Sequence, residues 1–391
     1  MPKTIIIGAG AAGCFCAIEL KRRRPDMDVT IYEAGAKPLA KVAVTGGGRC
    51  NLTNSFAAIS RLAEAYPRGE QVMKRALRAF SQQDTMEWFE REGVALLTQD
   101  DECVFPVSQD AMQIVRTLER LMRELGVKLV CNKKITSLSE LDADCIVVTA
   151  GGNSKAALQA MLPPDIGITD TVPSLFTFKI ADESLRSLMG TVAENVALSL
   201  AGTAFRSHGT LLVTDWGVSG PATLKLSSYA ARYLADNAYR ATMLVNWLDR
   251  PESEARQLLD DCISGNGKKF VANAHPEGIT ERLWQHLQQR AGLRGDLRWQ
   301  ELGSKGFNKL VSTLTADSYQ ITGRARFKEE FVTCGGVDLA GIDLNTLESK
   351  THPGLFFAGE VLDIDAVTGG FNLQAAWSTG YVVACTIASE K

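Results

Sequence analysis

Residues 3–13, reading KTIIIGAGAAG, limit the possible folds of this chain more than any other stretch. An apolar β-branched run falls directly into Gly8-x-Gly10-x-x-Gly13, and an alanine-rich, then amphipathic segment follows as far as Lys21. That order predicts strand, tight turn and helix, the start of a dinucleotide-binding βαβ unit. Each glycine has its own task. Gly8 makes the turn, Gly10 lets backbone approach a pyrophosphate, and Gly13 lets the helix lie close on the strand. The helix start offers unpaired N–H groups and a partial positive charge to phosphates. Alone the pattern is weak, because a glycine-rich turn without a ligand looks the same. Here a second apolar run, residues 28–32, ends in Glu33. An acid about 20 residues past the last glycine accepts ribose hydroxyls and repels a 2′-phosphate.

Two further regions point at the same crevice. After an apolar, strand-like stub at Val44-Thr45 comes Gly46-Gly47-Gly48-Arg49-Cys50-Asn51. Three consecutive glycines form a backbone nest for an anion, with Arg49 placed to counter its charge. A flexible loop is the alternative, but flexibility does not call for Arg-Cys-Asn at its end. Cys50 beside Arg49 invites a nucleophile reading, yet the next cysteine is Cys103, so no dithiol mechanism is expected. Residues 144–152, DCIVVTAGG, form an apolar strand ending in Ala150-Gly151-Gly152, as a parallel strand does when its carboxyl end faces a ligand. Residues 354–360 repeat that texture, ending in Gly359-Glu360. Gly369-Gly370-Phe371-Asn372-Leu373-Gln374 then opens an alanine-rich helix. Three glycine-rich elements converging on one crevice imply a discontinuous cofactor domain, built from both ends of the chain with the middle inserted.

The texture of the middle differs. From Val172, residues 174–180, 191–200, 203–205 and 210–214 are short, alternating and rich in Val, Thr, Leu and Phe, which predicts antiparallel β structure. Residues 243–248, 318–322 and 330–334 predict further strands, and 132–138 one more in the first domain. Residues 222–235 predict a helix with Pro221 at its first position, and 252–316 read as helical and polar. The expected fold class is α/β. It comprises a Rossmann-like domain of residues 1–170 and 335–391, an inserted antiparallel, barrel-like β domain of 171–250 and 318–334, and a small helical subdomain of 251–317.

Composition narrows function. The chain has 391 residues, 45% of them hydrophobic and 22% charged, with a formal net charge of −3. That is ordinary for a globular protein of two or three domains. It lacks the basic face expected of a nucleic-acid or anionic-membrane binder. No apolar run reaches the ~18–20 residues of a membrane-spanning helix. The nine cysteines are an odd number with no CxxC pair, and the four histidines have no metal-ligand spacing. A cytoplasmic protein with free thiols and no metal site is expected.

These motifs together resemble the BaiN-like or YhiN-type flavoproteins, a family that includes enzymes described as aminoacetone oxidases. The resemblance rests on IIIGAGAAG at 5–13, VTGGGRCNLTN at 44–54, VFPVS at 104–108, VSGP at 218–221, VTCGGVDL at 332–339 and GLFFAGEVLDIDAVTGGFNLQAAWSTG at 354–380. It implies FAD as the nucleotide. Gly8, Gly10, Ala12 and Gly13 would then face the pyrophosphate and Glu33 the adenosine ribose. Lys41 and the residues from Gly46 to Asn51 would line the pyrophosphate, ribityl and isoalloxazine side. Ile135 would meet adenine through its backbone, and Ala150 and Gly151 would border the adenosine half. Glu360, after Gly359, would bind a ribityl hydroxyl. Gly370, Phe371, Asn372 and Leu373 would place a helix N-terminus near the flavin N1–C2=O edge, where reduced flavin carries negative charge. The family has a histidine in the turn before Gly-x-Ser-Gly-Pro, where this chain has Asp215-Trp216, so no catalytic residue is carried over.

The expectation is an FAD-dependent oxidoreductase acting on a small molecule bound between the flavin domain and the insertion. An amine oxidase-like reaction and an NAD(P)H-dependent reduction of an enone or steroid both remain open. The absence of a second GxGxxG leaves NAD(P)H as a transient electron donor at most. A flavin-binding sensor or interaction module without turnover is the alternative, since no acid–base pair or nucleophile is evident. Oligomeric state is not legible.

Overall fold

The β-branched run near the start forms a strand, Lys3–Ile7, and every position from Thr4 onward is buried, as a strand covered on both faces requires. The computed structural model describes residues 2–325 and 332–389. The chain divides into two compact units, Met1–Val172 with Val332–Lys391, and Pro173–Phe331.

In the first unit Lys3–Ile7 lies in a five-stranded sheet. It is flanked by Asp28–Tyr32 and Cys145–Val148, both parallel to it. Leu355–Phe357 and Lys128–Val130 extend the two sides, again parallel. Because every strand runs the same way, the chain leaves the sheet at one common edge after Ile7, Tyr32, Val148 and Phe357. Ligand crevices of open parallel sheets form at such an edge. The first helix, Ala11–Arg23, and the last, Phe371–Ser389, pack closely on one another. A carbon added at Gly380 would lie 2.8 Å from Ala12 O, so that close approach needs glycine. Phe15 of the first helix packs on Trp377 of the last and on Trp88, with ring centroids 5.5 and 4.9 Å apart.

The second unit contains a closed antiparallel barrel of six strands. Its order is Val192–Leu200, Arg206–Val213, Gly217–Ser219, Phe178–Ile180, Asp317–Arg324 and Ala241–Asn246. Alternation puts Leu198, Leu200, Met243, Val245, Tyr319 and Ile321 inside. Closure removes the exposed strand edges that such short strands would otherwise present. The segment between the last two strands in chain order is helical, with Glu252–Asn266, Glu281–Arg290 and Gly303–Ala316. It adds Trp284 and Trp299, stacked with centroids 6.1 Å apart, to the same hydrophobic core as the barrel.

Several local expectations are corrected. Residues 132–138 form no strand; after Val130 the chain is irregular and is held by bonds from Asn132 N to Gly35 O and from Lys133 N to Glu33 O. Residues 203–205 turn rather than extend, the Thr203 hydroxyl donating to Leu200 O. Val44 is helical, not a strand stub, because Ala40–Gly48 begins as a helix before its glycines break the pattern. The helix expected over 222–235 divides at Ala230 into Pro221–Tyr229 and Ala231–Asp236. The strand expected at 330–334 is seen from Val332, and its first two residues lie outside the described ones.

Candidate functional site

The turn after Lys3–Ile7 shows why its glycines are spaced as they are. Gly8 has φ +105°, and a Cβ there would lie 2.5 Å from Thr149 O. A Cβ at Gly13 would lie 2.1 Å from Gly8 O and 2.5 Å from the Thr149 hydroxyl. Gly8 and Gly13 are therefore required by packing. Gly10 is not, since a Cβ there would meet nothing within 4 Å. The space over Gly10 is open, and Gly10 is the N-cap of Ala11–Arg23 without a side-chain cap. Cys14 N is the first to bond back, to Gly10 O at 3.0 Å, which leaves the N–H groups of Ala11, Ala12 and Gly13 without intrahelical acceptors.

Glu33 sits at the end of the neighbouring strand with its carboxylate already oriented. Oε2 accepts from Ala9 N at 2.8 Å and Oε1 from Gly35 N at 2.7 Å. A carboxylate oxygen can accept more than one bond, so both oxygens can still accept hydroxyls. Ile135 is buried in the segment that Lys133 ties to Glu33 O at 2.8 Å, which brings it to the same end of the crevice.

The C-terminal strand meets the fingerprint directly. A Cβ at Gly359 would lie 2.8 Å from Ala12 Cβ, and Gly359 has φ +75°. Glu360 accepts from Thr333 N at 2.9 Å through Oε1 and from the Lys41 ammonium at 3.0 Å through Oε2. Gly151 and Gly152 border it; a Cβ on Gly152 would come within 2.8 Å of Oε1. Ala150 accepts from the Asn153 side chain at 2.9 Å and so closes its turn. Residues 41, 150–152 and 359–360, scattered through the sequence, thus form one wall.

The three glycines have the left-handed backbone of a nest, and the side chains that flank it make contacts of their own. Gly46, Gly47 and Gly48 have φ of +61°, +68° and +82°. A Cβ on Gly47 or Gly48 would meet nothing, so left-handed backbone rather than crowding requires glycine there. Arg49 is exposed and bonded locally. Its Nε donates to Gly46 O at 3.2 Å and its guanidinium lies 4.4 Å over the Phe105 ring, which locks the nest instead of extending it. Cys50 is buried, and burial pushes its thiol up to about 12, which works against a nucleophile there. Asn51 donates to Thr53 O at 2.9 Å and accepts from Gly370 N at 3.2 Å, joining the nest to the last helix.

At that helix start the side chains are structural. Phe371 is 4% exposed and packs on Phe56 and Tyr66, with centroids 5.0 and 6.1 Å away. Asn372 is consumed by one residue: it accepts from Ala366 N at 3.0 Å and donates to Ala366 O at 3.1 Å. Gly370 N is taken by Asn51. The next N–H to bond within the helix is that of Gln374, to Gly370 O at 3.0 Å. The donors this end can offer are therefore the backbone N–H groups of Phe371, Asn372 and Leu373.

Sequence reading missed the supports behind this wall. Arg68 makes a two-point bond to Asp365, whose carboxylate is fully buried. Thr53 donates to the buried Gln374 at 2.5 Å, and Asn54 donates to Gly369 O at 3.1 Å. No local pattern pairs residues some 300 positions apart, so no sequence signal could have found them. In the second unit Asp215 is exposed, and Trp216 Nε1 donates to the Thr177 hydroxyl at 3.2 Å.

These features fit a flavin dinucleotide. Open space over Gly10, Gly47 and Gly48, two runs of unpaired N–H groups and an oriented acid at the ribose end match its pyrophosphate, its ring edge and its sugar. Among the described residues no group of three His, Cys, Asp or Glu is placed to hold a metal. No helix among them is long and apolar enough to cross a membrane.

The family model described as HI0933-like protein Rossmann domain matches residues 2–386. The chain is similar to the ribosomal RNA dihydrouridine synthase of Escherichia coli (strain K12), 29% identical with 99% of this chain and 98% of that one covered. It is also similar to the 3-dehydro-bile acid delta(4,6)-reductase of Clostridium scindens, 26% identical with 96% and 97% covered. Among solved structures it resembles a 3-ketosteroid delta1-dehydrogenase from Sterolibacterium denitrificans, at TM-score 0.46 and 13% identity over 100% of each chain. The chain belongs to the HI0933-like Rossmann family, the flavin-dependent oxidoreductases of BaiN and YhiN type, a membership carried by residues 2–386.

Proposed function

We propose that this protein reduces a carbon–carbon double bond conjugated to a carbonyl in a small organic molecule, with FAD as cofactor and NAD(P)H as transient electron donor. Bound FAD would supply hydride-transfer chemistry at flavin N5. The chain's own part is to hold and orient. Glu33 receives the adenosine ribose, the N–H groups of Ala11, Ala12 and Gly13 face the pyrophosphate, and Lys41 with Glu360 flanks the ribityl chain. The N–H groups of Phe371, Asn372 and Leu373 present a partial positive charge to the pyrimidine end of the ring, where negative charge builds on reduction.

The observation that carries the reaction class is what the two curated relatives share. Dihydrouridine is uridine saturated at one ring double bond, and a 3-dehydro-bile acid delta(4,6)-reductase saturates ring double bonds of a 3-oxo bile acid. In both, the bond is conjugated to a carbonyl. Those names disagree on whether the acceptor is free or part of RNA. The net charge of −3 supports a free small molecule.

The test is anaerobic reduction of the purified protein by NADH or NADPH, followed by reoxidation with a panel of cyclic enones and a uridine-containing RNA. Bleaching of the flavin by one nicotinamide and its return with an enone is the expected result. No bleaching with either sinks the reductase reading, and return with RNA alone overturns the small-molecule acceptor. Peroxide release with amines would favour an oxidase instead. Separately, Glu33→Ala should weaken FAD retention roughly tenfold or more, from loss of charge-assisted hydrogen bonds. Unchanged flavin content would count against the ribose site.

A further inference from the structure

Between Glu360 and the last helix the chain runs as an irregular strap, residues 361–370, and one short segment grips it at almost every step. Ala65 O accepts from Val367 N at 2.9 Å. The Tyr66 hydroxyl donates to Phe371 O at 2.9 Å, the first carbonyl of the helix. Arg68 holds the buried Asp365 by two bonds, and the backbones of these two residues also form a β-bridge. Gly69, with φ +77°, lies so close to Ile364 that a Cβ would sit 2.5 Å from its Cγ1. Residues 65–69 therefore clamp both the strap and the helix that it leads into.

The other fastenings come from the opposite direction. Asn372 binds Ala366 from within the helix, and Asn54 and Asn51 bind Gly369 O and Gly370 N from the nest side. The strand Val332–Val337 also holds the strap's first residues, Asp363 N donating to Val337 O at 3.0 Å, but the clamp grips the strap at Ile364, Asp365 and Val367 and the helix start at Phe371 from one five-residue segment. Its chemistry is costly for a structural tie. Asp365 is fully buried, and a buried ion pair gains little over well-packed apolar residues unless its geometry serves some further end. Tyr66 is buried too, and burial raises its phenol well above the ordinary range, so it remains a hydroxyl donor at any working pH. Neither residue presents its polar group to the crevice; both act on what does.

We propose that Tyr66 and Arg68 are positioning residues for the flavin. By fixing residues 361–371 they set where the N–H groups of Phe371, Asn372 and Leu373 stand, and so how strongly this end stabilises the extra electron density of the reduced ring. This rests on the flavin-site reading above. A helix N-terminus acts on a charge only over its first turn, so a small displacement there is felt strongly. Loosening the clamp then weakens binding of the reduced ring relative to the oxidised one. The reduction potential falls while the pyrophosphate and ribose contacts continue to hold the cofactor.

The decisive variants are Tyr66→Phe, which keeps the ring packing and removes one hydrogen bond, and Arg68→Lys, which keeps the charge and loses the two-point bond. Flavin content, thermal midpoint, two-electron potential and affinity for sulfite are measured on wild type and on both variants. The expected result is retained FAD with potential and sulfite affinity both lowered. A roughly tenfold weakening corresponds to about 30 mV for a two-electron couple. Potential and sulfite affinity unchanged in Tyr66→Phe overturn the proposal even if its thermal midpoint falls, because the clamp is then merely structural. If Arg68→Lys does not fold, Tyr66→Phe alone decides. A wild-type protein that binds no FAD refutes the flavin-site reading, an outcome distinct from an unmoved potential.

Discussion

In the nucleotide-binding unit the atoms that face the crevice are largely backbone N–H groups exposed by glycine, whereas in the barrel unit the prominent polar atoms are side chains sealed inside the core. Around Gly8–Gly13 and Gly46–Gly48 the absence of a Cβ creates close packing in some places and open space in others. Inside the second unit Asp317 Oδ2 accepts from Trp247 Nε1 at 3.2 Å and from the Tyr319 hydroxyl at 2.5 Å, while Oδ1 accepts from Arg290 Nη2 at 2.6 Å. His286 lies 3.0 Å from that hydroxyl through Nε2. The first arrangement leaves donors for a ligand. The second satisfies its groups internally and specifies one packing of helices on barrel.

The contrast breaks most visibly at Asp317. Asp317→Ala strips Arg290, Tyr319 and Trp247 of a shared acceptor. It should cost about 3 kcal/mol, the low end for breaking a buried pair, because Arg290 keeps partial access to water and a second partner in Asp182. Urea denaturation measures it, and a loss below about 1 kcal/mol would mean that the network contributes little specificity.

A smaller effect sharpens the other side of the comparison. Gly13→Ala places a carbon 2.1 Å from Gly8 O and should destabilise the unit by about 1–3 kcal/mol, the usual cost of overpacking. Gly10→Ala, with nothing within 4 Å, should leave stability nearly unchanged and weaken FAD binding alone. Equal thermal shifts in the two variants would remove the distinction between packing glycines and approach glycines.

The smallest effect is pH dependence. Burial lowers the pKa of His286, so the folded protein keeps it neutral where the unfolded chain would protonate it. Its contribution to stability is therefore complete above the ordinary histidine range near 6.5 and is lost as pH falls from there through the folded value. His286→Gln should flatten the acid side of the stability profile between neutral pH and 5. An identical slope in the variant would assign that loss to other groups.

The positions that local chemistry dictates were legible in the chain itself. Gly8 and Gly13 announce close packing that leaves no room for a side chain, Gly46–Gly48 announce left-handed backbone that favours glycine, and Glu33 follows at the length of one βαβ unit. Apolar runs ending in glycine identified the strands whose ends build the crevice. Arg49, Cys50 and Asn372 were legible as residues of the site, while the contacts that their side chains make were not. Arg49 folds back on Phe105, Cys50 is buried, and Asn372 is spent on Ala366, all consequences of packing that a motif does not encode. The strand expected at 132–138 failed because bonds to Gly35 and Glu33 hold that backbone in an irregular path.

The sequence alone determined the fold class, the position of the dinucleotide fingerprint and the return of the chain's far end to it, because periodicity and glycine placement are local properties of the backbone. Only the tertiary structure decided that Lys41 and Glu360 pair in one wall of the crevice, that the barrel closes, and that residues 65–69 clamp the strap before the last helix. Those outcomes depend on groups hundreds of residues apart meeting at hydrogen-bond distance. Such meetings follow from how sheets and helices pack, and a pattern along the chain carries no record of them.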